Sequence, residues 1–251
     1  MKKIVKRMVT VAACAVMLVT CMACGGKSKD ALVFGTNAEF PPFEYVSAKG
    51  VIGEYDGIDM EIAKQIGKDL DKKVRIENME FDSLLLALEN GQVDAVIAAM
   101  TITEEKSESV SFSVPYYTAE QVMIVKDGSD ITCAADMEGK KIVVIQGYTG
   151  ETAVAKLGYE YEAFKKGSEA VLELINGKCD VVVIDSATAN KYVGDNKGLK
   201  IVEDKATFGS EYYGIAVKKE NTELLSQINE VLTKLVEDGS INEWSAEYTD
   251  K

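Results

Sequence analysis

Two stretches offset by 86 residues carry one pattern: Asn90-Gly91-Gln92-Val93-Asp94-Ala95-Val96-Ile97 and Asn176-Gly177-Lys178-Cys179-Asp180-Val181-Val182-Val183 agree at Asn, Gly, Asp and Val. In each, a leucine-rich helical stretch stops at Asn-Gly, where glycine supplies a left-handed cap, and the chain turns into an apolar strand. Either two similar lobes follow, or a common helix-to-strand turn is used twice. Continuous apolar runs at residues 31–34, 93–98, 141–145 and 179–184 read as parallel strands covered on both faces. Between them Ile58, Ile62, Ile66 and Leu70, with Ala63 beside them, mark an amphipathic helix. The fold class is α/β.

A chain of 251 residues suits one domain or two lobes with real cores. It contains no histidine, which excludes Ser-His-Asp and Cys-His catalytic sets and the common zinc sites. No metal and no cofactor is expected. Lys2, Lys3, Lys6 and Arg7 followed by the apolar stretch 8–19 read as an export signal, too short to span a bilayer. Without these four basic residues, 24 Lys+Arg face 41 Asp+Glu, a net charge of −17 that argues against nucleic acid. Cys133 and Cys179 precede apolar strands expected to be neighbours, and two free, mostly buried thiols are favoured over a bridge.

Ligands on open α/β sheets bind beyond the carboxyl ends of the strands. The first copy of the repeat runs out at Ala98-Ala99-Met100-Thr101-Ile102-Thr103-Glu104-Glu105-Lys106, offering small residues, hydroxyls and one cation. The second ends at Asp185-Ser186, offering one carboxylate. Facing lobes would present opposite charges across a cleft, the complement of a zwitterion.

Seven segments in order then resemble the polar amino-acid family of ABC-transporter substrate-binding proteins, over nearly all of residues 31–249. They are Gly35-Thr36-Asn37-Ala38-Glu39-Phe40-Pro41-Pro42-Phe43-Glu44-Tyr45, Gly57-Ile58-Asp59-Met60-Glu61, Phe81-Asp82-Ser83-Leu84, Thr101-Ile102-Thr103-Glu104-Glu105-Lys106, Gln146-Gly147-Tyr148-Thr149-Gly150-Glu151, Ile184-Asp185 and Asp238-Gly239-Ser240-Ile241-Asn242. The resemblance implies a periplasmic-binding-protein-like bilobal clamp, two βα lobes joined by two crossing strands. Lobe one would be residues 31–116 plus 213–251, and lobe two residues 118–210. The stretch after Tyr212, with Ile215, Leu224, Ile228, Leu232 and Leu235 at helical spacing, would return to cover lobe one.

The same resemblance implies roles. Phe40 would pack on the ligand's aliphatic portion, unless it is a plain core aromatic. Thr101 and the Ala99 backbone would bond the α-ammonium and α-carboxylate, the alternative being a helix N-cap at Thr103. Lys106 would take the carboxylate, with the N–H groups of Thr149 and Gly150 at a helix start. Asp185 would pair with the ammonium, or merely cap a helix. Asn37, Ile58, Ala98 and Gln146 complete the expected ligand contacts. Lys106 stands where the family usually has Arg, Ile58 where many members have an aromatic, and Asn37 where binders of cationic side chains often carry an acid. That favours an uncharged polar L-amino acid such as glutamine, while Glu39 leaves a basic one open. Met22-Ala23-Cys24-Gly25-Gly26-Lys27-Ser28 resembles a lipobox, which implies a signal peptide over 1–23, a lipidated Cys24 and a tether over 24–30. Cys21 is the alternative site. The expected protein is a monomer, anchored by lipid to the outer face of the cytoplasmic membrane and partnered by ABC permease subunits. The fold also resembles cyclohexadienyl and arogenate dehydratases. Glu39 and Asp185 offer no cleft His or Cys for that chemistry, so a binder is preferred to an enzyme, and also to a sensory module.

Overall fold

The computed structural model describes residues 31–250; the leader 1–23, Cys24 and the tether 24–30 lie outside the described residues. The first lobe runs β1 (Ala31–Thr36), β2 (Glu39–Phe40), β3 (Glu44–Val46), β4 (Tyr55–Asp56), α1 (Ile58–Asp69), β5 (Lys73–Asn78), α2 (Leu84–Glu89), β6 (Ala95–Val96), α3 (Glu104–Ser109) and β7 (Val110–Phe112). The second follows with β8 (Tyr117–Lys126), β9 (Ile142–Ile145), α4 (Thr149–Lys156), β10 (Tyr161–Phe164), α5 (Gly167–Ile175), β11 (Val181–Asp185), α6 (Ser186–Asp195), β12 (Leu199–Glu203), α7 (Lys205–Phe208) and β13 (Ser210–Tyr213). The chain then returns through β14 (Ala216–Lys218), which pairs with β6 and β7, and packs α8 (Thr222–Glu237) and α9 (Ser240–Asp250) against α1.

The repeated Asn-Gly segment is one physical device used in both lobes. Gly91 and Gly177 each adopt φ 71°. The next residues, Gln92 and Lys178, donate back to Ala87 O and Glu173 O at 2.9 and 3.0 Å, closing α2 and α5 alike. The shared aspartates then tie each strand to its neighbour: Asp94 Oδ2 accepts from Val33 N at 2.9 Å and Asp180 Oδ2 from Lys141 N at 2.8 Å.

Each lobe is built on a sheet, ordered β5-β1-β6-β14-β7 in the first and β10-β9-β11-β8-β12 in the second. The expected parallel neighbours pair as β1 with β6 and β9 with β11, yet β8 runs antiparallel to both β11 and β12, so the sheets are mixed. β8 is the pivot. Its first four residues pair with β13 and the rest with β11 and β12, so β8 and β13 are the two crossing strands. The run expected as a strand over 93–98 keeps only Ala95–Val96 in the ladder, because the backbone turns away at Ala99, where φ is 43°. Ile58, Ile62, Ala63 and Ile66 are buried, while Leu70 caps the helix end. In α8, Leu224, Ile228, Val231, Leu232 and Leu235 face the core, but Ile215 precedes β14 and belongs to no helix. Cys133 and Cys179 are free; only Cys179 is buried.

Gly57 and Gly177 separate two kinds of glycine requirement. Gly57 has φ 119°, and a Cβ there would lie 2.2 Å from Phe43 O, a clash with backbone. At Gly177 a Cβ would meet only the mobile end of Lys126. Gly57→Ala is therefore expected to cost about 3 kcal/mol or more, and Gly177→Ala about 1 kcal/mol. Thermal melting should show the Gly57 variant down by about 6–12 °C and the Gly177 variant by about 2–4 °C.

Candidate functional site

The first wall of the site is the loop after β6. Ala98 is fully buried, and Ala99 holds its left-handed conformation because the Asp59 carboxylate accepts from Ala99 N at 2.8 Å. Tyr116 donates to the same oxygen at 3.1 Å. Asp59 is wholly buried, and burial pushes its carboxyl up to about 7 against these hydrogen bonds. Glu44, also buried, is pushed far above the usual carboxylate range by burial and by Asp59. From Ala99 the loop is laced to β13, with Gly214 N donating to Met100 O at 3.0 Å and Ile102 N to Tyr212 O at 2.8 Å. Thr103 caps α3 by accepting from Lys106 N. Thr101 instead turns its hydroxyl to Glu211 Oε2 at 3.1 Å. Burial pulls the Lys106 ammonium below the ordinary lysine value, opposed by Glu211, Glu105 and Asp185.

The second wall is built where β9 and β11 end. Gly147, at φ 80°, turns the chain so that Tyr148 stands at the N-cap of α4 and Thr149 and Gly150 open the helix. A Cβ on Gly150 would lie 2.8 Å from Gln121 Oε1 and 3.0 Å from Val183 O, so only glycine allows α4 to pack this close. Thr149 donates to Glu211 Oε2 at 2.7 Å and accepts from Gln121 Nε2 at 3.1 Å. Asp185 occupies the N-cap position of α6 but does not cap it; its Oδ1 accepts from the Tyr213 hydroxyl at 2.5 Å. Burial, then Glu211, push its carboxyl up to about 7.

Aromatic rings fill the space between the walls. Tyr148 stacks on Phe81 at 4.2 Å and lies 5.0 Å from Phe40, and its hydroxyl donates to Asn37 Oδ1 at 3.0 Å. Asn37 also donates to Met79 O, so much of its amide is engaged within the protein. Phe40 and Ile58 are buried, whereas the Gln146 side chain is exposed at the rim. Two ion pairs cross the same rim, Lys166 to Glu39 at 2.8 Å and Lys165 to Glu80 at 3.5 Å.

Thr101, Lys106, Thr149 and Glu211 line one cavity of about 660 Å³. A larger cavity of about 730 Å³ lies beside Tyr117, Tyr212 and Val236 and holds none of the expected residues. Asn37, Phe40, Ile58, Ala98, Ala99, Gln146, Gly150 and Asp185 do not line the 660 Å³ cavity. Among the described residues no cluster of acids or cysteines is placed to share a metal ion, and no helix is long and apolar enough to cross a membrane. The arrangement brings the Lys106 ammonium, the Thr101 and Thr149 hydroxyls and the Glu211 carboxyl group to the wall of the same cavity. The sequence reading passed over Glu211, Gln121, Tyr213, Tyr148, Asp59 and Glu44. Tyr148 and Asp59 lie inside segments already singled out, but Glu211 has no local signal.

Residues 32–251 match the family described as bacterial extracellular solute-binding proteins, family 3. The chain is 34% identical over 243 residues to a probable histidine-binding protein of Neisseria gonorrhoeae, covering 90% of this chain and 89% of the relative. It is 33% identical over 223 residues to the ABC transporter glutamine-binding protein GlnH of Bacillus subtilis, covering 86% and 80%. Among solved structures, a mutant of ArgBP from T. maritima superposes with a TM-score of 0.82 at 39% identity, covering 90% of this chain and 97% of that one. The fold is that of a periplasmic-type bilobal clamp.

Asp185 makes the ligand-free protein pH-sensitive in a definite direction. Its raised value means that the folded state holds a proton the unfolded chain releases between about 4 and 7, so this residue's contribution is lost as pH rises through that window. Asp185→Asn removes the titration. Its melting temperature should exceed wild type by several degrees at pH 8 and converge on it near pH 4. A difference that does not change with pH would overturn the assignment.

Proposed function

The chain belongs to the bacterial extracellular solute-binding proteins, family 3, and from that premise we propose that it is the substrate-binding lipoprotein of an amino-acid ABC importer. It is a binding protein and not an enzyme, as its relatives are named. The observation that carries the proposal is that Thr101 and Lys106 of the first lobe and Thr149 of the second line one cavity of about 660 Å³, with the buried acid Asp185 near enough to act electrostatically on Lys106. In this reading Lys106 and the Gly150 N–H take the α-carboxylate, assisted by the start of α4, while Asp185 and Thr101 take the α-ammonium. Phe40 packs on the aliphatic part, with Ile58, Ala98 and Ala99 beneath it and Asn37 and Gln146 toward the side-chain end.

The ligand in this proposal is an uncharged polar L-amino acid, glutamine first. Glu39, the acid best placed to read a cationic side chain, already pairs with Lys166 at 2.8 Å, and Asn37 offers an amide instead of a charge. Residues 31–116 with 213–251 close on residues 118–210 by hinge motion in the crossing strands, and the closed monomer is handed to the permease membrane subunits. Cleavage after residue 23 and diacylglycerol on Cys24 hold the protein on the outer face of the cytoplasmic membrane through the 24–30 tether.

A thermal-shift screen of the twenty amino acids tests the ligand directly, since a compound that binds only the folded state raises the melting temperature. Glutamine should give the largest rise. Stabilisation by arginine, lysine or histidine alone would remove the uncharged preference, and stabilisation by none would sink the amino-acid reading. A charge-assisted hydrogen bond contributes about 1.5–3 kcal/mol, so Lys106→Ala should weaken binding about ten- to a hundredfold in calorimetry, while Lys106→Arg retains it. For the anchor, Cys24→Ser should move the protein from the membrane fraction to the soluble one. Unchanged fractionation would count against lipidation at Cys24.

A further inference from the structure

Glu211 sits on β13, one of the crossing strands, and gathers donors from both lobes. Its Oε2 accepts from Thr149 Oγ1 at 2.7 Å, Thr101 Oγ1 at 3.1 Å and Gln121 Nε2 at 3.2 Å. A carboxylate offers acceptors only, so both hydroxyl groups must point their protons at Glu211. A threonine hydroxyl has one proton and two lone pairs. With its proton so committed, Thr101 can meet a ligand only as an acceptor. Thr149 is restricted further, because Gln121 Nε2 already donates to one of its lone pairs at 3.1 Å. Neither hydroxyl is then able to donate to a carboxylate oxygen of the ligand. Each is suited to an N–H group.

Asp185 lies close enough to feel Glu211, its Oδ1 held by the Tyr213 hydroxyl. Tyr213 neighbours Glu211 on β13, so one strand fixes both acids. Among the described residues no carboxylate lies within ion-pair distance of Lys106, which leaves that cation free for the opposite end of a zwitterion. Glu211 and Asp185 both stand within electrostatic reach of that cation, and Thr101 and Glu211 share its cavity.

We propose that Glu211 is a positioning residue for the ligand's ammonium: by holding the Thr101 and Thr149 protons it turns their lone pairs to the cleft, and with Asp185 it forms the seat of a primary ammonium. The inference rests on the amino-acid reading above but not on which side chain is bound. It assigns the carboxylate to Lys106 and the Gly150 N–H and takes the Thr149 hydroxyl out of that role.

The test compares ligands with and without the ammonium. Wild type, Glu211→Ala and Glu211→Gln are titrated calorimetrically with L-glutamine and L-arginine, and with glutaramate and 5-guanidinopentanoate, their analogues lacking the α-ammonium. Glu211→Ala should weaken the bound amino acid about tenfold or more. Glu211→Gln should weaken it less, because its carbonyl oxygen still accepts the hydroxyl protons. The analogue should change by less than about twofold in both. Equal loss for amino acid and analogue, unchanged affinity, or tighter binding of the amino acid to Glu211→Ala would overturn the proposal; the last would mark Glu211 as an internal competitor for Lys106. Should the analogues bind too weakly to titrate, Thr101→Val and the Thr101→Val/Glu211→Ala double variant decide. The proposal requires the double variant to lose clearly less than the product of the two single losses, and simple multiplication refutes it. If wild type binds no amino acid at all, it is the amino-acid reading that fails, a result distinct from any of these.

Discussion

Ten residues of β8 set the register on which the cleft depends. Their first part pairs Ala119 with Glu211 and Tyr117 with Tyr213, and their second part pairs Gln121 with Asp185. One strand therefore places two acids, a tyrosine hydroxyl and a glutamine amide relative to each other across two different neighbours. Side chains alternate faces along a strand, so a slip of one residue would exchange the faces taken by Tyr212 and Tyr213. Tyr212 is half-exposed and Tyr213 fully buried, which gives the register a strong apolar preference in the correct sense.

The acids differ in what balances them. Asp59 and Glu44 are both wholly buried, and burial raises both carboxyls, with Asp59 adding to the rise at Glu44, while Asp59 holds the Ala99 backbone. Asp185 is buried with its Oδ1 held by the Tyr213 hydroxyl, and burial and Glu211 make its ionised form costly. Glu211 is only partly buried and has three donors on one oxygen.

Much of this was legible in the sequence, and what was not has a common cause. The apolar stripe of α1 follows from 3.6-residue periodicity, and the Asn-Gly stops of α2 and α5 from the freedom of glycine; both are local. Thr101, Lys106, Thr149 and Asp185 could be singled out because they follow strand ends, where open α/β sheets bind ligands. The antiparallel setting of β8 could not, since its partners β11, β12 and β13 are distant in sequence. Ile215 fitted a helical spacing by accident, and its burial comes from the return to the first sheet. Glu211 was invisible for the same reason as β8: an acid in a tyrosine-rich strand acquires meaning only from the hydroxyls that another lobe brings to it. Asn37 was recognised, but its engagement by Tyr148 depends on the lobes meeting.

What holds the lobes together at the rim can be ranked. The pairs Lys166–Glu39 and Lys165–Glu80 both involve substantially exposed side chains, and such pairs contribute about 0.2–1 kcal/mol each, less as salt rises. Tyr148 is only 7% exposed and meets two rings of the opposite lobe, each pair adding about 0.5–1.5 kcal/mol beyond the area it buries. Its hydroxyl also satisfies Asn37. The aromatic contact is therefore the stronger of the two, and it is short-ranged where the ion pairs are not. Charges at the rim act over a longer range, whereas the contact of Tyr148 with Phe40 and Phe81 needs close approach. Because Thr149 follows Tyr148 directly at the start of α4, the same contact fixes where Thr149 meets the cavity.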